Sequence, residues 1–233
     1  MESVRYYLRK MVTFLCSVFS PIYLRVHYYL ANKLSSKYDD ELIVFYDLET
    51  TGLNPYHSRI TEIAMMVYSV NKGCIVDTYS SLVDPEISVP PKITKITGIT
   101  DEMVRGKHTV DEIITDVILR CGLATHRDVY FVAHNNDGFD KLFMRRYLRN
   151  RKEIRANVIH LDTMRFAQKL LPELNRFSLR ELCKHFHIEQ EGAHRALADT
   201  VSVRSLYRSL CDAYLQVTDG KISPRDVYDY IYN

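Results

Sequence analysis

The stretch Leu42-Ile43-Val44-Phe45-Tyr46-Asp47-Leu48-Glu49-Thr50-Thr51-Gly52-Leu53 decides how this chain is read. Its apolar half, Leu42 to Tyr46, has the composition of a buried strand, and Thr50-Thr51-Gly52 supplies turn residues. Side chains of a strand alternate between its faces, so Asp47 and Glu49 fall on the same side. Acids set side by side repel each other and lose hydration, and a fold tolerates them mainly around a cation. Oxygen ligands of this hardness select Mg²⁺ or Mn²⁺, the usual metals of phosphoryl transfer. Taken alone, the same residues also read as a strand end entering a turn with both acids solvated.

Two later clusters complete a set. Ala133-His134-Asn135-Asn136-Asp137-Gly138-Phe139-Asp140 follows the apolar run Val129 to Val132, and His194-Arg195-Ala196-Leu197-Ala198-Asp199 opens a long helical pattern. Each is weak alone, because an Asp in a loop or on a helix is most often a solvated cap. Together they offer the carboxylates Asp47, Glu49, Asp140 and Asp199 with the imidazole of His194. A pair of divalent ions about 4 Å apart needs about that many anionic ligands to clamp a phosphodiester.

In these three motifs, D-L-E-T-T-G-L, A-H-N-x-x-F-D and H-x-A-L-x-D, the chain resembles the DEDDh-type 3′–5′ exonucleases, the DnaQ-like and ribonuclease T-like family. Ile96-Thr97-Gly98-Ile99-Thr100 and Ser178-Leu179-Arg180-Glu181-Leu182-Cys183 also resemble family segments, and the likeness spans about residues 41 to 212. The resemblance implies that Asp47, Glu49 and Asp199 hold one metal, with Asp47 reaching a second ion that Asp140 helps to hold through water. It implies His194 as the general base for the attacking water, a task suited to an imidazole titrating near neutrality. The cofactor would be Mg²⁺ or Mn²⁺, two ions per site, and the product a nucleoside 5′-monophosphate from a single-stranded or frayed 3′ end. Thr50, Leu53 and Asn135 are candidate substrate contacts, with turn chemistry an equal reading for the first two. DNA is weakly favoured over RNA trimming, and a nuclease-like module docked on a polymerase is the reading from another class. Asp137 reads as a loop or cap residue and His134 as a structural histidine.

The resemblance implies an α/β, ribonuclease H-like architecture with a mixed five-stranded sheet flanked by helices, its first strand central. The residue pattern agrees. Leu42 to Asp47, Ile60 to Val70, Cys74 to Leu82, Val129 to Ala133 and Val158 to Leu161 read as strands. Thr109 and Glu112 form a capping box ahead of a stripe of Val110, Ile113, Ile114, Val117 and Ile118. A helix from Phe139 is expected to turn Leu142, Phe143 and Tyr147 inward, and the third motif opens a helix through about Tyr214. The domain reading is an N-terminal apolar extension over 1–40, an exonuclease domain over 41–215 and a closing helix within 216–233, begun by Ser223-Pro224.

The chain has 233 residues, 46% hydrophobic and 26% charged, ordinary usage for a soluble catalytic domain. A net charge of +2 gives no sign of a large basic binding face, which a nuclease gripping only a few terminal nucleotides does not need. The basic run Lys141 to Arg155 reads as a solvated helix face ahead of a phosphate-tracking groove. Five cysteines, scattered and odd in number, argue against a disulfide framework or zinc site and point to an intracellular, reducing compartment such as cytoplasm or nucleus. The uncharged run Met11 to Leu24 is shorter than the roughly 20 residues of a membrane span. Docking of residues 1–40 on the catalytic domain, a polymerase or another protein is favoured, membrane association is second and a cleaved signal third.

Overall fold

The computed structural model describes residues 41–190, 194–218 and 222–233, so the expectations for residues 1–40 lie outside the described residues. Strand β1 (Leu42–Thr50) is central in a five-stranded sheet. It pairs antiparallel with β2 (Ile60–Ser69), which pairs antiparallel with β3 (Cys74–Leu82). On its other side β1 pairs parallel with β4 (Asp128–Ala133), and β4 pairs parallel with β5 (Asn157–Asp162). The mixed sheet expected from the sequence is therefore present, in the order β3-β2-β1-β4-β5.

Helices fill the connections. Between β3 and β4 come α1 (Pro91–Thr97), α2 (Asp101–Val104) and α3 (Val110–Arg120). Then α4 (Asp140–Leu148) joins β4 to β5, and α5 (Thr163–Leu170), α6 (Leu179–His185), α7 (Ala196–Val217) and α8 (Pro224–Tyr232) follow. The Thr109 capping box forms as read, and the helix start read at Ser223-Pro224 carries a second capping box, between Ser223 and Asp226. Among the described residues, no helix is long and apolar enough to cross a membrane.

The alternation of β1 divides the core in two. Val44, Tyr46 and Leu48 pack on one face with Ile114, Val117 and Ile118 of α3 and Phe143 of α4. Ile43 and Phe45 pack on the other with Phe166 of α5 and Val203, Leu206, Tyr207 and Leu210 of α7. Burying such side chains supplies about 1.5–3 kcal/mol each and dominates the stability of the sandwich. One expected orientation fails: Leu142 is 39% exposed, whereas Phe143 and Met144 are buried. The helix begins at Asp140, and successive residues turn by about 100°, so burying Phe143 and Met144 together swings Leu142 to the rim. Helices α1, α2 and α5 were not legible from periodicity, being too short to repeat an apolar stripe. They are set instead by local signals, Pro91 at the start and Gly98 in the left-handed region (φ +73) at the end of α1, and the Asp162 side chain accepting from Met164 N–H at α5.

Candidate active site

Asp47 and Glu49 continue the β1 face that carries Ile43 and Phe45, beyond the point where apolar packing stops. Helix α7 crosses that face, and Asp199 lies in its first turn. Carboxylate oxygens of Asp47, Glu49 and Asp199 all lie within 4.8 Å of one another. A bulge between Glu49 and Thr50 then ends the regular pairing with β2 and starts the loop to Arg59.

The charges are held against their preference. Burial raises the Asp47 carboxyl well above its usual range, and the neighbouring Asp140, Asp199, Glu49 and Glu62 add to the effect. Glu49 is raised to about 7 by burial first, then by Asp199 and Glu62, with Arg195 pulling it partly back. Asp199 is raised by burial too, although the backbone N–H of His194 opposes this. Such a cluster binds protons or a cation, and an all-oxygen donor set suits a hard divalent ion.

Asp140 opens α4 and is 2% exposed. It stands beside the cluster, not within it: it is the strongest charge acting on Asp47 but is not among the three acids whose oxygens converge. Its carboxyl is raised by burial, while N–H groups of its own residue and of Leu48 favour the ionised form. Its Oδ1 is buried and has no hydrogen-bond partner. An orphaned acceptor there fits a water or ion at a second position. The oxygen ligands present therefore suit a hard divalent ion.

His194 precedes α7 with its backbone in the left-handed region (φ +65) and its side chain exposed. Its N–H donates to Asp199 Oδ2 at 2.9 Å, which ties the histidine to the first turn of α7. The expected substrate contacts are placed differently from one another. Leu53 is 82% exposed on the loop beyond the acids. Thr50 is buried, and its hydroxyl donates to Gly52 O at 2.7 Å within the turn. Asn135 is exposed with φ +59, and its N–H donates to Asp162 Oδ1 at 3.0 Å.

Beneath the second motif lies a polar anchor. Asn136 is fully buried, accepts from the Tyr46 hydroxyl and donates to Phe131 O and Leu161 O at 3.0 and 2.9 Å. Asp162 holds the same loop by accepting from the N–H groups of Asn135 and Asp137. His134 lies 2.9 Å from Thr163 Oγ1 and 2.8 Å from Phe177 O, so both ring nitrogens are engaged. Asp137 pairs with Lys141 and Arg165 at 2.9 and 2.8 Å. Both residues are thus structural, as read from the sequence.

Sequence reasoning passed over Glu62. It sits opposite Glu49 on β2, is 2% exposed and pairs through both oxygens with Arg195. Its signal was an acid inside the apolar run Ile60 to Val67, a place where an ionised side chain needs a dedicated partner.

The family model for exonucleases of the RNase T type matches residues 44–207, a span that contains every one of these acids and the histidine. The chain belongs to this exonuclease family. That bears out the 3′–5′ exonuclease expected from the three motifs. A PolC-type DNA polymerase III of Clostridium perfringens is 34% identical over 177 residues, covering 76% of this exonuclease but only 12% of the relative. The DNA polymerase III epsilon subunit of Aquifex aeolicus is 30% identical over 168 residues, covering 72% of this exonuclease and 79% of the relative. Exonuclease X, solved in complex with 5′-overhanging duplex DNA, superposes with a TM-score of 0.58 at 26% identity, covering 82% of this chain and 99% of its own. Escherichia coli exonuclease I, solved with a dT13 oligonucleotide, gives 0.63 at 20% identity over 76% of this chain and 42% of its own, a likeness of fold. Exonucleases of this family depend on divalent metal, and the three acids converge closely enough to hold one.

Proposed function

We propose that this exonuclease removes nucleoside 5′-monophosphates from single-stranded or frayed 3′ ends of DNA, using two Mg²⁺ or Mn²⁺ ions. The observation that carries the reading is the convergence of Asp47, Glu49 and Asp199 within 4.8 Å, with burial raising all three carboxyls. Asp47, Glu49 and Asp199 would hold one ion, and Asp140 with Asp47 the other. When bound, the ions supply positive charge against the scissile phosphate and make water acidic enough to attack. His194, exposed at the lip of α7, would take the proton of the attacking water. Its tie to Asp199 keeps base and ligand in register, so the proton acceptor and the charge cluster move as one unit. Exposed Leu53 offers an apolar contact to the terminal base.

DNA is the favoured polymer because the relatives named above are DNA polymerase III chains and DNA-bound exonucleases. The same names favour a proofreading role beside a polymerase inside the cell, with residues 1–40 as the docking segment. The test uses matched 5′-labelled single-stranded DNA and RNA with Mg²⁺, Mn²⁺ or chelator, and Asp47→Ala alongside. A metal-dependent ladder that shortens from the 3′ end of DNA, absent in the variant, is the expected result. No shortening of either polymer by the folded chain would sink the reading, and faster loss of RNA would reverse the choice of polymer. Deleting residues 1–36 should leave the ladder intact while abolishing polymerase capture.

A further inference from the structure

A further acid, Glu62, borders the cluster but is spoken for. The Arg195 guanidinium donates to it in a fork, Nη2 to Oε1 at 2.7 Å and Nε to Oε2 at 3.1 Å. The first backbone N–H of α7, from Ala196, donates to Oε2 at 3.0 Å. Both oxygens are thus consumed, and the side chain is almost wholly out of water, whereas Arg195 is half exposed. Glu62 stands opposite Glu49 in the strand register, and Arg195 directly follows His194 in the chain. One buried carboxylate therefore ties strand β2 to the entry of α7, the segment that delivers both His194 and Asp199.

We propose that Glu62 and Arg195 are positioning residues, a charge-paired clamp that fixes His194 and Asp199 against β1 and balances the charge around the metal ligands. The inference rests on the exonuclease reading above. A helix entry held only by backbone would leave the left-handed His194 free to swing with its neighbours. The fork admits one orientation of the guanidinium and so sets the direction in which the chain approaches the helix. The charge balance matters as well: a lone buried Glu62 would add to the repulsion on Glu49 and Asp199, and a lone Arg195 would compete with a cation for them.

The variants that separate these roles are Glu62→Gln, Arg195→Gln, Arg195→Lys and the double variant Glu62→Gln/Arg195→Gln. Each is assayed for kcat and KM on single-stranded DNA, and for binding of Mn²⁺ alone at pH 8. Partners that orient metal ligands typically contribute about 10–100-fold, so kcat should fall by about that factor with KM within about twofold. The double variant should be no worse than the poorer single one, because both remove one unit. Mn²⁺ affinity should fall about tenfold in Glu62→Gln, where Arg195 is left unbalanced, and should not fall in Arg195→Gln. Arg195→Lys should keep the Mn²⁺ affinity but not recover kcat, since a lysine lacks the fork. Unchanged kcat in both single variants, or an equal loss of Mn²⁺ affinity in both, would overturn the clamp. The Mn²⁺ titration needs no turnover, so it decides the charge role even if the wild-type chain cleaves nothing, a result that would sink the nuclease reading alone.

Discussion

Replacing Glu49 by glutamine should make the metal-free protein more stable while disabling it. Glu49 titrates near 7 in place of its usual 4.5, because burial and the charges of Asp199 and Glu62 disfavour its ionised form. At about 1.4 kcal/mol per pH unit, that displacement corresponds to a ceiling of about 3 kcal/mol. Partial solvent access reduces the working value to about 1–2 kcal/mol. The sign follows from proton binding: below about 4.5 the folded and unfolded chains both hold the proton, and between there and about 7 only the folded chain does. The stabilisation from that proton is thus complete below the unfolded value and lost as pH rises through about 7. Glu49→Gln imitates the protonated side chain at every pH. In chelator at pH 8 it should melt about 2–8 °C above the wild type, and at pH 5 the two should nearly coincide. Millimolar Mg²⁺ should then raise the wild type and leave the variant where it was. No gain at pH 8, or an equal gain at pH 5, would refute the account of the cluster as stored repulsion.

Three other outcomes follow from particular contacts. His194→Gln should lower kcat by about 10²–10⁴-fold without weakening Mn²⁺ binding, and a parallel loss of metal would show the imidazole to be a ligand. Asn136→Leu strands the Tyr46 hydroxyl and two buried carbonyls, so urea denaturation should report a loss of about 3 kcal/mol; a loss under about 1 kcal/mol would mean the anchor is dispensable. Gly122 has φ +71, and a Cβ there would lie 2.5 Å from His126 Nδ1 and 2.6 Å from Leu42 Cδ1. Gly122→Ala should accordingly cost about 2 kcal/mol in the same experiment, with wild-type stability as the contrary result.

The parts of the molecule that the sequence announces are those governed by short-range rules. The alternation in Leu42 to Glu49 states both a central strand and the facing of its acids, and the Thr109 capping box states where α3 begins. The convergence of Asp199 with those acids is a long-range fact. It was reachable through the likeness of three motifs to a family, since nothing local to residue 199 encodes its distance from residue 47. Glu62 escaped notice because its partner Arg195 is 133 positions away, and an acid in a strand carries no mark of the charge it will meet. Leu142 misled for the opposite reason: its apolar character was local and visible, but the helix start that turned it outward was set by the loop from Ala133 to Phe139.

The converging acids come from β1 and α7, so they enter the growing chain at positions 47, 49 and 199, with the neighbouring Asp140 of α4 made in between. A ribosome that has made everything up to α6 has made every strand of the sheet, yet the β1 face that α7 covers is still bare, and the charge cluster lacks its third member and the neighbouring histidine. Premature termination or proteolytic clipping anywhere before residue 194 therefore leaves a fragment without His194 and Asp199. Under the roles proposed for His194 and Asp199, a cell that must keep nucleases from its own nucleic acids gains a safeguard from this order alone: the capacity to cut is the last property the chain acquires during synthesis.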